Sequence, residues 1–321
     1  MSMHAVEITF ARDPGTSRLL HDPLPGTGYR ALRRLGAGAT SEVFEVIGPD
    51  RVRRAVKVLR AVFADAPEAI FRLEQEGRAL GSLSHPSLVP VLEVGTTAAG
   101  RPFFVMPLLE GETLRERLSR RGKLPAAAAC AFLADALDGL EAAHRAGIVH
   151  RDVKPANIFL PRRLPLQRAR RCVVLDFGIA KVLTAPGRAT TGSQILGSPR
   201  YLAPEQILGG RVDARTDVYA AGITLFEMIA GRPPFDAEQP IEVMKEHLAE
   251  APHKLRDFAD VSPELGHAVE RAIAVAPARR WPSARAFAAV LDRAAARELA
   301  RAKERIAAER IAADAEAETA R

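Results

Sequence analysis

The sequence predicts an α+β fold in two lobes, a small β-rich N-terminal lobe with one main helix and a larger helical C-terminal lobe. Three observations point there. Between residues 29 and 59, three short runs, the last two rich in Val, alternate apolar and polar side chains and are separated by Gly-containing turns, the pattern of an antiparallel meander. From Thr113 onward the apolar spacing becomes helical over long segments. The length of 321 residues suits two lobes, and 47% hydrophobic with 26% charged residues is enough to build a core and excludes a mainly disordered chain.

Taken in order, residues 1–28 hold Pro14, Gly15, Pro23, Pro25, Gly26 and Gly28, the punctuation of an irregular leader. Tyr29–Leu35, Glu42–Ile47 and Arg53–Leu59 read as strands, and Glu68–Leu83 as a helix because Ile70, Phe71, Leu73, Leu80 and Leu83 recur at mostly helical spacing. Leu88–Val94 and Pro102–Met106 read as two further strands that complete the sheet. Helices are expected at Pro125–Ala146, Arg215–Ala230, Pro263–Val275 and from Ser283 to near the end. The domain boundaries that follow are a leader at 1–28, a globular unit at 29–291 and an Ala/Arg/Glu-rich helical tail at 292–321.

Composition narrows the function. Two cysteines, Cys130 and Cys172, are too few for a disulfide framework or a four-ligand zinc site, which suggests a reducing cytoplasm. The first 20 residues lack the apolar core of a signal peptide, and no uncharged apolar run is long enough to span a bilayer. Lys and Arg number 46 against 39 Asp and Glu, a net charge of +7, and they are scattered rather than interleaved with aromatics, so there is no clear nucleic-acid signature.

Chemistry concentrates in a few segments. Leu35-Gly36-Ala37-Gly38-Ala39-Thr40-Ser41-Glu42-Val43 lies between two strands, where it is either a plain hairpin turn or backbone bare enough to lie over phosphates. Its strand-turn-strand setting disfavours a dinucleotide fold, which needs the glycines to lead into a helix. Lys57 sits mid-strand in Ala55-Val56-Lys57-Val58-Leu59, facing either solvent or the carboxylates Glu74 and Glu76 of the next helix. His150-Arg151-Asp152-Val153-Lys154-Pro155-Ala156-Asn157 fixes six residue types in eight positions. At ordinary frequencies of about 5% per residue type, chance produces that on the order of 10⁻⁸ per starting position. Asp176-Phe177-Gly178 and Ala203-Pro204-Glu205 follow in order.

On these motifs the chain resembles a eukaryotic-type (Hanks-type) protein kinase, most closely the bacterial serine/threonine branch, over roughly Tyr29 to Leu291. The resemblance implies the two-lobed protein kinase fold, with the N-lobe at about 29–106, a hinge at 107–111 and the C-lobe at 112–291, and transfer of the γ-phosphoryl group of ATP to Ser or Thr hydroxyls of protein substrates. The turn from Leu35 to Ser41, including Gly36, Ala37, Gly38, Ala39 and Thr40, would cover the phosphates, with Lys57 on the α and β phosphates and Glu76 as its partner. Glu74 is the alternative partner. Asp152 would orient the substrate hydroxyl, assisted by Lys154, while Asn157 and Asp176 would hold Mg²⁺, or alternatively Mn²⁺. The adenine would lie between Val43 and Ala55 above and Phe159 below, beside Met106, with the Pro107 carbonyl and the Leu109 N–H as its hydrogen-bond partners. Arg280 would pair with Glu205 and hold the C-lobe together.

The chain departs from the family pattern at several positions. Pro107 replaces an acidic residue, Ser41 the third glycine and Ala276 an aspartate, and none of these removes a required group. Between Asn157 and Asp176 an insertion of about six residues carries Arg162, Arg163, Arg168, Arg170 and Arg171, a solvated loop or a dock for an acidic partner. Arg151 beside Asp152 implies control by phosphate on the loop Ile179–Leu202, where Thr190 and Thr191 are the expected autophosphorylation sites and Ser198 the structural hydroxyl. A pseudokinase is disfavoured because Lys57, Asp152 and Asp176 are all present, and a small-molecule phosphotransferase because Gly197–Glu205 resembles a peptide-docking segment. The tail has only Leu299, Ile306 and Ile311 as large apolar residues, too few for a sustained coiled coil, and no oligomeric state is implied.

Overall fold

The computed structural model describes residues 22–38, 41–64, 66–162, 171–177, 199–249 and 252–319, with backbone alone at several positions of the helices over 67–81 and 284–319. Alternation builds the first lobe. Strands β1 (Arg30–Ala37), β2 (Ser41–Ile47) and β3 (Arg53–Leu59) lead to helix α1 (Pro67–Gly81) and then to β4 (Glu93–Thr96) and β5 (Pro102–Pro107). They pair antiparallel in the order β1-β2-β3-β5-β4. One face carries Phe44, Val46, Val56, Val58, Phe103 and Val105, clustered with Leu24 from the segment before β1. That segment is irregular, as its prolines and glycines predict, yet it is docked: Pro25 O accepts from Ala98 N at 2.8 Å. The other face presents Leu35, Val43, Ala55 and Met106 toward the second lobe.

The strand expected over Leu88–Val94 is not formed as such. Leu88 makes only an isolated parallel bridge with Val174, and the backbone around it bonds Val174 instead, with Val174 N on Ser87 O at 2.8 Å and Val89 N on Val174 O at 3.2 Å. Pro90 has no N–H to continue a ladder, so regular pairing with β5 starts only after it. Helix α1 closes on the sheet through Gly77, where a Cβ would sit 2.3 Å from Cε1 of Phe104.

In the second lobe, β6 (Gly111–Thr113) runs into α2 (Leu114–Arg121), α3 (Ala126–Arg145), β7 (Ile158–Pro161) and β8 (Val173–Val174). Then come α4 (Pro204–Ile207), α5 (Ala214–Ala230), α6 (Pro240–Leu248), α7 (Pro263–Ala272) and α8 (Ala284–Thr319). Thr113 starts α2 with a capping box, its Oγ1 accepting from Glu116 N at 3.1 Å while Thr113 N donates to Glu116 Oε2 at 2.6 Å. Every residue of α5 from Thr216 to Ile229 is buried, as expected for a helix surrounded by others. Helix α8 is anchored at Glu298, which accepts from Ser262 N at 2.9 Å, and farther along it exposes Ile306 and Ile311. Among the described residues no helix is long and apolar enough to cross a membrane.

Candidate active site

The two lobes meet along β3, the hinge after β5, and the segments flanking β7 and β8. Lys57 lies at the centre of β3, opposite Val43 on β2 and Phe104 on β5, and its Nζ is 2.9 Å from Asp176 Oδ1. The two side chains are only 12% and 17% exposed, so the pair is largely shielded from solvent. Asp176 is therefore the counter-charge described for Lys57. Glu76 falls on α1, but its side chain lies outside the described residues, whereas Glu74 faces Arg78 at 3.4 Å.

Asp152 stands in a loop held from below. Lys154 Nζ is 3.1 Å from its Oδ2, and the Asn157 amide nitrogen donates to Asp152 O at 2.8 Å and to Oδ2 at 3.1 Å. With its nitrogen so engaged, Asn157 keeps its amide oxygen as the acceptor it can present elsewhere. Leu175 N donates to Asn157 O at 2.9 Å, which fixes Asp176 relative to the loop. Arg151 and Asp176 both adopt left-handed φ, 65° and 38°. Such angles cost a non-glycine residue about 1 kcal/mol or more and persist only when surroundings impose them. For Arg151 the imposing group is Asp217 on α5. This fully buried carboxylate accepts from His150 N at 2.8 Å, from Arg151 N at 2.8 Å and from His144 Nε2 at 2.7 Å. His150 is itself buried, with Asp152 N donating to its Nδ1 at 3.2 Å and its Nε2 bonded to Leu175 O at 2.8 Å. Burial holds its pKa below the usual 6.5 despite the neighbouring Asp217.

Four of the apolar residues expected around a purine lie together. Leu35, Val43, Ala55 and Met106 cluster, with Val89 and Leu108 against them. Ile158 and Leu160 belong to the large C-lobe core, so strand alternation turns Phe159 to the opposite face of β7, where its ring approaches Gly111. A Cβ at Gly111 would meet Leu160 O at 2.2 Å and Phe159 Cε1 at 2.8 Å, so glycine is required for β6 to lie this close. Pro107 pairs in register with Arg54, and Leu109 is half-buried just beyond. Gly38 N donates to Ser41 O at 2.7 Å, closing the glycine turn, while Ala39 and Thr40 lie outside the described residues.

The expected Glu205–Arg280 pair is bidentate, with both N–O distances 2.8 Å, and Thr216 Oγ1 adds a bond to Glu205 at 2.6 Å. Sequence reading passed over two further constellations. One is Asp217 itself, although a lone aspartate ahead of Val218-Tyr219-Ala220-Ala221-Gly222-Ile223 signals a buried charge that needs donors. The other joins Arg115 of α2, Tyr201 and Glu227 of α5: Arg115 lies 2.7 Å from Glu227, Tyr201 donates to Glu227 at 2.5 Å, and Arg115 also bonds the Tyr201 hydroxyl. Thr190, Thr191 and Ser198 lie outside the described residues, as do Arg163, Arg168 and Arg170. The flanks of the insertion are tied down, Arg162 N to Glu110 O at 2.7 Å and Arg171 N to Asp135 Oδ2 at 2.7 Å.

Comparison with known proteins agrees with this geometry. Residues 29–290 match the protein kinase domain family. The chain is 38% identical over 272 residues to the serine/threonine-protein kinase PknB of Mycolicibacterium smegmatis, which covers 83% of this chain and 42% of that protein. It is 36% identical over 303 residues to the serine/threonine-protein kinase PknL of Mycobacterium bovis, covering 94% and 74%. The crystal structure of the Mycobacterium tuberculosis PknI kinase domain matches with a TM-score of 0.66 at 30% identity, covering 86% of this chain and 99% of that one. The chain thus spans less than half the length of the PknB relative. With sheet, hinge, loop and buried ion pairs arranged as described, the chain belongs to the protein kinase family, in its bacterial serine/threonine branch.

Proposed function

We propose that the chain transfers the γ-phosphoryl group of ATP to Ser and Thr hydroxyls of protein substrates, with activity raised by autophosphorylation at Thr190 and Thr191. The observation that carries this reading is the convergence, at one edge of the cleft, of Lys57 and Asp176 at 2.9 Å with the Asp152–Lys154–Asn157 cluster. Phosphoryl transfer asks little covalent chemistry of a protein and much positioning and charge neutralisation. In this reading Lys57 binds the α and β phosphates, and Asp152 accepts the proton of the incoming hydroxyl. Lys154, 3.1 Å from Asp152, neutralises charge on the transferred group. The purine rests among Leu35, Val43, Ala55 and Met106 above Phe159, with the Pro107 carbonyl and Leu109 N–H at its edge.

The residues fit Mg²⁺. Asp176 and Asn157 supply a carboxylate and an amide oxygen, hard donors of the kind that hold this ion together with phosphate oxygens and water. Asp176 and Asn157 would hold the ion together with phosphate oxygens of the nucleotide, and among the described residues no group of three or more His, Cys, Asp or Glu offers another site. Bound Mg²⁺ supplies neutralisation of the β and γ oxygens, and Mn²⁺ serves the same donor set as an alternative. Glu76 is the second carboxylate assigned to Lys57, supported by the contact of the adjacent Gly77 with Phe104, the cross-strand partner of Lys57. A cytoplasmic setting is supported by Cys130 and Cys172, both buried free thiols.

The test is incubation of the purified chain with MgATP and a mixed Ser/Thr/Tyr peptide pool, followed by phosphosite mapping. Lys57→Met and Asp152→Asn serve as controls, each expected to lose on the order of 10²-fold or more in rate while remaining folded. Comparable transfer by either variant refutes the assignment of that residue, and phosphotyrosine as the main product refutes the substrate class.

A further inference from the structure

On the cleft side of the N-lobe sheet, the row that begins with Lys57 and continues through the purine pocket does not end in apolar residues. In β3 the residues of one face are Arg53, Ala55 and Lys57, and in β2 they are Val43 and Glu45, since the β2–β3 register is continuous. Glu45 is thus next in line after Val43. It is 3% exposed, and both of its oxygens are taken, Oε2 by Arg33 Nε at 2.7 Å and Oε1 by Arg53 Nη1 at 3.0 Å. One carboxylate on the middle strand therefore holds an arginine from each neighbouring strand.

The strand that needs holding is β1. It is an edge strand, paired only with β2, and its register shifts twice, between Ala31 and Arg33 and again between Arg34 and Gly36. Each shift is an extra residue on β1 that bends the strand and weakens its register. Arg33 pairs directly with Glu45 between these two irregularities. The second irregularity is Leu35 itself, part of the pocket roof, and Gly36, the start of the phosphate turn, follows at once. The exposed Arg34–Glu42 pair at 3.3 Å, with side chains 58% and 24% exposed, contributes little by comparison. Stability alone gives no reason to bury a carboxylate here, because a hydrophobic residue of similar size usually does as well, whereas an ionic contact does select one register.

We propose that Glu45, through Arg33 and Arg53, is a positioning residue for nucleotide binding: it fixes where β1 sits and hence the height of Leu35 and Gly36 over the cleft. This rests on the reading of the cleft as an ATP site. The experiment compares the intact chain with Glu45→Gln, Arg33→Met and Arg33→Lys by calorimetric titration of MgADP, steady-state kinetics on a Ser/Thr peptide, and thermal unfolding. Glu45→Gln and Arg33→Met are expected to weaken MgADP binding and raise KM for ATP by about 5- to 10-fold, with kcat and peptide KM changed less than about 2-fold, the split of a lost nucleotide contact. Arg33→Lys, which keeps the charge, should restore most of the affinity. Should Glu45→Gln fail to fold, Arg53→Met, altering a side chain 68% exposed, is expected to shift MgADP affinity in the same direction by a smaller factor. Unchanged nucleotide affinity with a lowered Tm, or equal effects on both substrates, overturns the proposal. If the parent chain binds MgADP but transfers no phosphoryl group, the kinase reading falls while the affinity comparison still decides the role of Glu45. If the parent binds no nucleotide, both fall.

Discussion

Arg280→Met should unfold the C-lobe at a markedly lower temperature, and the size of the loss follows from what the arginine touches. Its side chain is fully buried, and all five N–H groups are used: Nε on Ala274 O at 2.8 Å, Nη1 on Glu205 at 2.8 Å and Arg215 O at 3.0 Å, Nη2 on Glu205 at 2.8 Å and Val275 O at 2.9 Å. Methionine fills similar volume but leaves the buried Glu205 carboxylate without its charged partner, with the Thr216 hydroxyl and a backbone N–H as donors. Breaking a buried pair from one side costs about 3–5 kcal/mol. At roughly 2–4 °C per kcal/mol for a unit of this size, a 4 kcal/mol loss lowers Tm by about 8–16 °C. Adding Glu205→Gln should recover part of this, because the orphaned charge is then gone. The pH dependence gives an independent check. In the parent, burial pushes the Glu205 carboxyl up, but the hydrogen bonds of Arg280 and Thr216 outweigh it and hold the pKa below the usual 4.5. Its stabilisation is therefore complete above pH 4.5 and is lost as pH falls through the lower folded value. Without Arg280, burial dominates, the pKa rises above 4.5, and acid should relieve the variant rather than weaken it at this site. Scanning calorimetry at pH 7 and pH 4.5 would show the gap between parent and variant narrowing. A drop under about 3 °C at pH 7, or a gap that widens on acidification, refutes the reasoning.

Asp217→Asn should lower kcat by roughly 10-fold or more with little change in ATP KM, because it weakens the support beneath Arg151 and Asp152 rather than the nucleotide pocket; steady-state kinetics with fixed saturating peptide checks it. Autophosphorylation mapping should find phosphate on Thr190 and Thr191 and none on Tyr201 or Tyr219, both buried hydroxyls bonded to Glu227 and His247 respectively. Gly111→Ala should reduce both stability and nucleotide affinity, since the new methyl overlaps both Leu160 O and the Phe159 ring, and thermal unfolding with MgADP titration would register both.

Much of the fold was legible because it depends on local alternation. β3 has the bounds its pattern predicts, Arg53–Leu59, and α1 begins and ends within two residues of expectation. The segment Leu88–Val94 misled because its apolar character comes from bridging the lobes, a reason that periodicity does not encode. The short α2 was missed although Thr113-Leu114-Arg115-Glu116 is a legible capping box. At the site, Lys57, Asp152, Asn157 and Asp176 were found because their spacing lies within motifs, and the structure does bring them together. What escaped were partnerships set by topology: Arg115 with Glu227, 112 residues apart, and Glu45 with two arginines on different strands. No spacing rule links such residues until the strands and helices are placed.

The hydrogen bonds of His150 have a consequence for how the loop responds to its surroundings. Because Asp152 N donates to Nδ1, that nitrogen must offer a lone pair, and the proton must reside on Nε2, facing Leu175 O. The ring is locked in one neutral tautomer, joining the chain before Asp152 to the chain before Asp176. A histidine at this junction would ordinarily titrate in the range where cells vary their pH. Here burial depresses its pKa, so protonation, which would cost the Asp152 N–H its acceptor, is deferred to more acidic conditions. Below pH 6.5 the unfolded chain takes up a proton that the folded chain refuses, so acid weakens the fold as a whole before it rewires this junction. The spacing between the two aspartates is thus held by a ring whose burial shifts its protonation toward acid.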